Sequence, residues 1–138
     1  MDLEIKVFGD YKVEDILSYA HINDAGIDVY FQKDIYIKPG SNRIPLGFNI
    51  KLPKGLMGLV FPRSSIMGMG IQFNCAPIDA DYTGEYNLIC YNATNETIKF
   101  EKGTKIVQLV ITNCIHVDGI KCPSMSYRED NGIGSTGK

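Results

Sequence analysis

The sequence predicts an all-β domain, a jelly-roll-like barrel or sandwich with little helix and a polar, glycine-rich tail. Three observations predict it. Short β-branched or alternating runs recur along the chain. Turn residues separate them. No stretch sustains a helical period beyond about two turns. In order, the strand-like runs are "LEIKVF", "IDVYF", "DIYI", "RIPLGFNIKL", "GLMGLVF", "EYNLICY", "TIKF" and "KIVQLVI". Between them lie "KPGSN", "LPKG", "YTG", "NATN" and "EKG", whose Gly, Pro and Asn supply the backbone angles of turns. Short strands at this spacing fit a jelly roll. "VEDILSYA" puts Val13, Ile16, Leu17 and Ala20 on one helical face and is the first helix candidate. The second, "SSIMGMG", is held to a turn or so, because each interior glycine costs about 1 kcal/mol in a helix.

At 138 residues the chain is long enough for one core and one domain. No apolar run approaches the roughly 18 to 20 residues that cross a bilayer, so no membrane association is expected. "MDLEIKVFGD" carries acids at Asp2 and Glu4, unlike a signal peptide, and a cytoplasmic location (a host-cell cytoplasm for a phage or viral protein) is expected. A net charge of −2 gives no general attraction for nucleic acid. Cys75, Cys90, Cys114 and Cys122 form no CxxC pair and have no His at metal-ligand spacing; they read as free, buried thiols. His21 is isolated, and His116 reads as a strand-end residue rather than a ligand.

Five stretches carry chemistry. In "DAGIDVYF", Asp28 sits within an apolar strand, where a charge needs a partner: an Arg, a metal-bound water or a backbone donor. "PRSSIMGMG" offers Arg63 as a charge clamp with Ser64 and Ser65 as donors for a polyphosphate; the same hydroxyls suit a helix N-cap. In "PIDADYTGE", strand alternation puts Asp79 and Asp81 on one face, unless the "YTG" turn breaks it. One carboxylate then activates a water while Tyr82 packs on a sugar or base; an Asp-rich turn capping a hairpin gives the same pattern. Gln108 interrupts "KIVQLVI", and a buried amide needs hydrogen-bond partners. The tail "REDNGIGSTGK" is either a frayed terminus or an arm in which Gly backbone, Ser135, Thr136 and Arg128 hold phosphate.

Together and in order, "DAGIDVY", "PRSS", "IDADYTGE", "KGTKIVQLVI" and "GIGSTGK" resemble the five motifs of the homotrimeric dUTPase family, in a phage-like variant. The resemblance runs from about Tyr19 to Lys138 and implies hydrolysis of dUTP to dUMP and pyrophosphate, with Mg2+ bound mainly by the triphosphate. It implies that Asp79 activates the attacking water and contacts the 3′-hydroxyl. Tyr82 packs under the deoxyribose and leaves no space for a 2′-hydroxyl, and Asp81 pairs or caps around the turn. Main-chain groups from Tyr86 to Cys90 read uracil. Arg63, Ser64, Ser65 and Gln108 contact phosphates, and Asp28 reaches the metal through water. A domain of residues 1–127 is followed by an arm, 128–138, in which Arg128, Ile133, Gly134, Ser135 and Thr136 close over a neighbouring subunit's site. Three such sites, shared among three chains, form the expected homotrimer.

The chain departs from the family pattern at Glu129, Asn131 and Ile133, where two glycines and a uracil-stacking Phe are usual. Ala76 and Pro77 replace a usual Gly, and the interval from Asn74, otherwise a substrate-binding residue, is one residue short. Two other functions compete: a dCTP deaminase-like enzyme, which uses a Glu as base, and a dUTP-responsive regulatory binding protein.

Overall fold

The computed structural model describes residues 1–121; Cys122 and the expected arm residues Arg128, Ile133, Gly134, Ser135 and Thr136 lie outside them. The strands are β1 (Glu4–Val7), β2 (Leu17–Ser18), β3 (Ile27–Val29), β4 (Ile35–Ile37), β5 (Gly40–Pro45) and β6 (Phe48–Lys51), followed by β7 (Leu56–Pro62), β8 (Ile71–Asn74), β9 (Asn87–Asn92), β10 (Ile98–Phe100) and β11 (Val107–Asn113). One helical turn, α1 (Val13–Ile16), precedes β2, and a 3-10 turn, Ser64–Ile66, follows β7. The strands pair antiparallel in four groups: β1-β6, β10-β4, β2-β3-β11-β7 and β5-β9-β8. The all-β class expected from the sequence is the class observed.

Three local expectations change. The run "RIPLGFNIKL" is two strands, because Gly47 adopts φ +89°, a left-handed backbone open to glycine. β5 and β6 therefore leave that corner for different sheets, β5 to β9 and β6 to β1. "VEDILSYA" is helical only to Ile16; Lys12 gives no side-chain cap, and Leu17 pairs with Val29 across β2 and β3. A ladder to a buried neighbour outweighs the weak propensity of so short a helix. β8 was not among the expected runs, since "IQFN" offers only four residues between a glycine and an exposed loop.

The core gathers Val29, Ile37, Phe48, Tyr86, Leu88, Ile106, Val107 and Leu109 between the sheets. Tyr86 packs edge-on against Phe48 with ring centroids 5.2 Å apart, and its hydroxyl donates to the Ile50 carbonyl at 2.9 Å. Buried Asn92 donates to the Ile37 and Glu96 carbonyls and accepts from Thr94, so its amide is fully used. Of the three described cysteines, all free, only Cys90 is buried; Cys114 is half-buried just past β11, and Cys75 is exposed on the loop leaving β8. His116 is exposed beyond the end of β11 rather than on it. Among the described residues no helix is long and apolar enough to cross a membrane.

Burial pushes the Cys90 thiol above its ordinary 9.0 and the Tyr86 phenol above its ordinary 10.0. Both groups keep their proton more firmly in the fold than in the unfolded chain. Their contribution to stability is thus complete below those ordinary values and is lost as pH rises through the raised ones. The midpoint of urea unfolding should fall as pH is taken from 8 to 11, and Cys90→Ala should flatten the first part of that fall. An unchanged slope in the variant would assign the alkaline loss to other groups.

Candidate active site

Two cavities collect the motif residues, and they collect different ones. The first, about 220 Å³, lies on the β5-β9-β8 sheet. Its floor is set by register: Arg43 on β5 faces Ile89 on β9, which faces Asn74 on β8, and Asn87 lies two residues along β9 on the same side. Its wall is the segment Ala76–Asp79 with Tyr82 and Tyr86. A two-bond bridge between Ile78 and Gly58 ties that segment to β7.

Strand alternation does not continue through Asp81. The Tyr82 amide donates to the Asp79 carbonyl at 3.2 Å, closing a turn at Ala80–Asp81. Asp79 lines the cavity with Tyr82; it also shares a neighbouring cavity of about 570 Å³ with Asp81, which does not reach the first. Asp81 neither pairs nor caps: its side chain makes no hydrogen bond or ion pair among the described residues. The Tyr82 ring stacks on Tyr86 at 6.2 Å and stays 43% exposed, free to meet a ligand. The backbone N–H and C=O of Tyr86 are taken by Phe48 and Leu46. β8 begins its pairing at Ile89, so the β9 backbone before Ile89 has no strand on that side, and it borders the cavity.

The second cavity, about 280 Å³, is lined by Asp28, Arg63, Ser64 and Gln108 with Ala20, His21, Asp24, Ala25 and Gly26. Asp28 and Gln108 face each other across β3 and β11. Asp28 is 6% exposed and has the partner its burial demands, in duplicate: Arg63 Nε at 3.3 Å and Lys105 Nζ at 2.9 Å. The hydrogen bond to Asp28 raises the Lys105 pKa, and a hydrogen bond from Ser18 lowers that of Tyr30, which sits beside the ammonium. The 3-10 turn has no side-chain cap, so Ser64 and Ser65 are not spent on the helix terminus. Ser64 lines the cavity; Ser65 is exposed and lines neither. Gly26 leaves room for Gln108, whose side-chain amide occupies the space a Cβ at 26 would need. Among the described residues the Gln108 side-chain amide donates only to the Pro62 carbonyl, at 3.5 Å.

The two cavities share no lining residue, although Val60 of the first lies only three residues before Arg63 of the second. Ile78 bridges Gly58, and Arg63 lies five residues further along the same run, roughly 16 Å at about 3.3 Å per residue. The Arg63 guanidinium donates to the Lys105 carbonyl at 3.1 Å.

A family model described as dUTPase matches residues 13–137. The chain belongs to the dUTPase family. It is 37% identical over 126 residues to the deoxyuridine 5′-triphosphate nucleotidohydrolase of Clostridium tetani, covering 87% of each chain. Against the protein of the same name from Corynebacterium glutamicum the identity is 40% over 126 residues, covering 86% of this chain and 85% of the relative. The fold matches that of a dUTPase from phage phi11 of S. aureus, described with a structural Mg(II) ion, at TM-score 0.77 and 18% identity over 92% of this chain and all of that one. The jelly-roll-like class and the enzyme class, dUTP diphosphatase, follow from that membership.

For a dUTPase, two residues in or beside these cavities escaped the sequence reading. Arg43 lines the first cavity and makes no ion pair among the described residues; only its register opposite Ile89 reveals it. Lys105, the second cation on Asp28, lay inside the quoted "KGTKIVQLVI", but that it reaches Asp28 from the loop before β11 is not written in the run. The donor set was also tested against magnesium. No three His, Cys, Asp or Glu side chains converge among the described residues. The second cavity instead sets two carboxylates, Asp28 and the His21-bonded Asp24, beside the Arg63 guanidinium, the Ser64 hydroxyl and the Gln108 amide. That suits a Mg2+ carried in by a polyphosphate, the usual way this ion is held.

Proposed function

We propose that this dUTPase-family chain hydrolyses dUTP to dUMP and pyrophosphate, keeping uracil out of DNA and supplying dUMP for dTMP synthesis. The observation that carries the reading is the sorting of the motif residues. One cavity has largely apolar walls, a stacked tyrosine and one carboxylate, with Arg43 on its floor; the other sets a guanidinium, a hydroxyl and an amide beside Asp24 and Asp28. The first suits a base and sugar, the second a polyphosphate. Asp79 takes a proton from water, whose oxygen bonds to the α-phosphorus as the bond to the pyrophosphate oxygen breaks. Tyr82 packs against the deoxyribose, the β9 backbone before Ile89, within the expected stretch Tyr86 to Cys90, reads uracil, and Asn74 borders the same space. Arg63, Ser64, Ser65 and Gln108 hold the phosphates. Mg2+ bound to the triphosphate would neutralise its oxygens, with Asp28 reaching it through water.

The gap between Asp79 and Arg63 supports a homotrimer in which one subunit's first cavity meets another's second. Exposed Ile22, Ile115, Val117 and Ile120, each more than two-thirds bare in the single chain, support burial against further copies. Residues 1–127 form the catalytic domain in this reading, and the arm 128–138, through Arg128, Ile133, Gly134, Ser135 and Thr136, closes over a neighbour's site. The enzyme works in the cytoplasm. Among the described residues Asp79 is the only carboxylate lining the first cavity, which supports hydrolysis over a deaminase needing a Glu there.

A nucleotide panel tests the reading. Pyrophosphate release should be fastest from dUTP, weak from UTP, dTTP and dCTP, and should depend on added Mg2+. Ammonia release from dCTP, or tight dUTP binding without turnover, would replace it with one of the two competing functions.

A further inference from the structure

The turn that carries Asp79 and Tyr82 has little apolar anchorage of its own. Asp79, Asp81, Tyr82 and Thr83 are exposed, and only Ile78 and Ala80 are partly buried. What holds it against the sheet is a side chain outside all five motifs. On β6, Phe48 and Ile50 enter the core, so alternation should leave Asn49 outward with exposed Lys51. Asn49 is nevertheless only 6% exposed, because the turn lies over it. Its Nδ2 donates to the Tyr82 carbonyl at 3.0 Å and to the Gly84 carbonyl at 2.7 Å, using both amide protons. Around this clip, Glu85 accepts from the Gly47 amide, the Tyr86 amide donates to Phe48, and the Tyr82 hydroxyl donates to the Glu85 carbonyl. Asn49 is thus the side chain that fixes the Tyr82 backbone directly to a core strand.

We propose that Asn49 is a positioning residue for substrate selection: it sets the height of the Tyr82 ring over the cavity, and with it the rejection of a 2′-hydroxyl. The inference rests on the proposed role of Tyr82. Two carbonyls aimed at one amide demand donors. Asn49→Asp would set a carboxylate against both carbonyls, which repels them and raises that carboxyl's own pKa. Once protonated, it could restore one of the two hydrogen bonds. Asn49→Ser keeps one donor on a shorter stem and is the milder change.

The experiment measures kcat/KM for dUTP and for UTP, from pH 5.5 to 8.5, in the parent, Asn49→Asp, Asn49→Ser and Tyr82→Ala, with melting and trimer content followed in each. If the parent does not prefer dUTP, or Tyr82→Ala keeps the preference, the reading of Tyr82 fails and takes the inference with it. If both behave as expected, the Asn49 variants decide the inference alone. The preference should drop by roughly ten- to a hundredfold in Asn49→Asp at high pH, the scale of a small misplacement at a site, and recover in part toward pH 5.5. Asn49→Ser should fall between it and the parent. A residue that only stabilises the fold would lower the melting temperature and leave the preference and its pH profile unchanged; that result overturns the proposal. Unfolding of both variants would assign Asn49 to the fold rather than to the turn, and would overturn it equally.

Discussion

Asp79→Asn is expected to lower kcat for dUTP by roughly 10²-fold or more, the scale of losing a general base, while nucleotide binding largely survives. The substitution keeps the shape of the side chain and removes the proton acceptor, in a turn closed by main-chain atoms that the change does not touch. Asp81→Asn, in a side chain with no bond of its own among the described residues, should keep far more activity. A single-turnover measurement with pyrophosphate readout checks both. The distance between the two cavities adds a sharper test. Subunits carrying Asp79→Asn and subunits carrying Arg63→Ala should each be nearly inactive alone. In a cyclic trimer of mixed composition, one site draws Asp79 from one subunit and Arg63 from another, both intact. Random mixing in equal amounts should therefore restore about a quarter of the parent activity. Mixed trimers confirmed by mass, yet no more active than either variant, would show that each site belongs to one chain.

Arg63→Ala is expected to cost about 10² to 10³ in kcat/KM, the effect of removing one preorganised charged donor from a developing phosphate charge. The fold should tolerate it. Asp28 would lose one of its two cations but keep Lys105 at 2.9 Å, so no buried carboxylate is left bare. Arg63→Lys should recover only part of the loss, because an ammonium keeps the charge without the planar fork. Melting curves run beside steady-state kinetics check this: a large drop in stability with Arg63→Ala would mean that Lys105 cannot neutralise Asp28 alone.

Much of the strand content could be read because β-branched runs and turn residues are local signals. Phe48 and Ile50, or Val107 and Leu109, declare a buried face by alternation alone. The corner at Gly47 was harder, since "PLGFN" continues an apolar run and the change of direction lies in one φ angle. At the site, Asp28 announced itself as a charge in an apolar strand in need of an Arg, a metal-bound water or a backbone donor, and Arg63 is one partner it has. Its second partner was invisible, because Lys105 reaches it across 77 residues of chain. Arg43 and Asn49 were missed for the same reason: each acts through a neighbour that only strand register or loop docking supplies. Asp81 was expected to pair or cap around the turn, but the turn at Ala80–Asp81 leaves it exposed, without a side-chain partner among the described residues.

The close fit of Gly26 against Gln108 bears on which sequence changes this protein can accept. Each position limits the other. An added methyl at 26 would meet not only the mobile end of the glutamine but its Cβ, at 3.0 Å, which no rotamer can withdraw. Gly26→Ala would therefore push the amide out of the second cavity and act as a loss of Gln108 while leaving that residue in the sequence. The reverse substitution opens no route either, since shortening Gln108 first removes the same amide. Neither position can change ahead of its partner without passing through a weakened enzyme, and the two should be inherited as a unit.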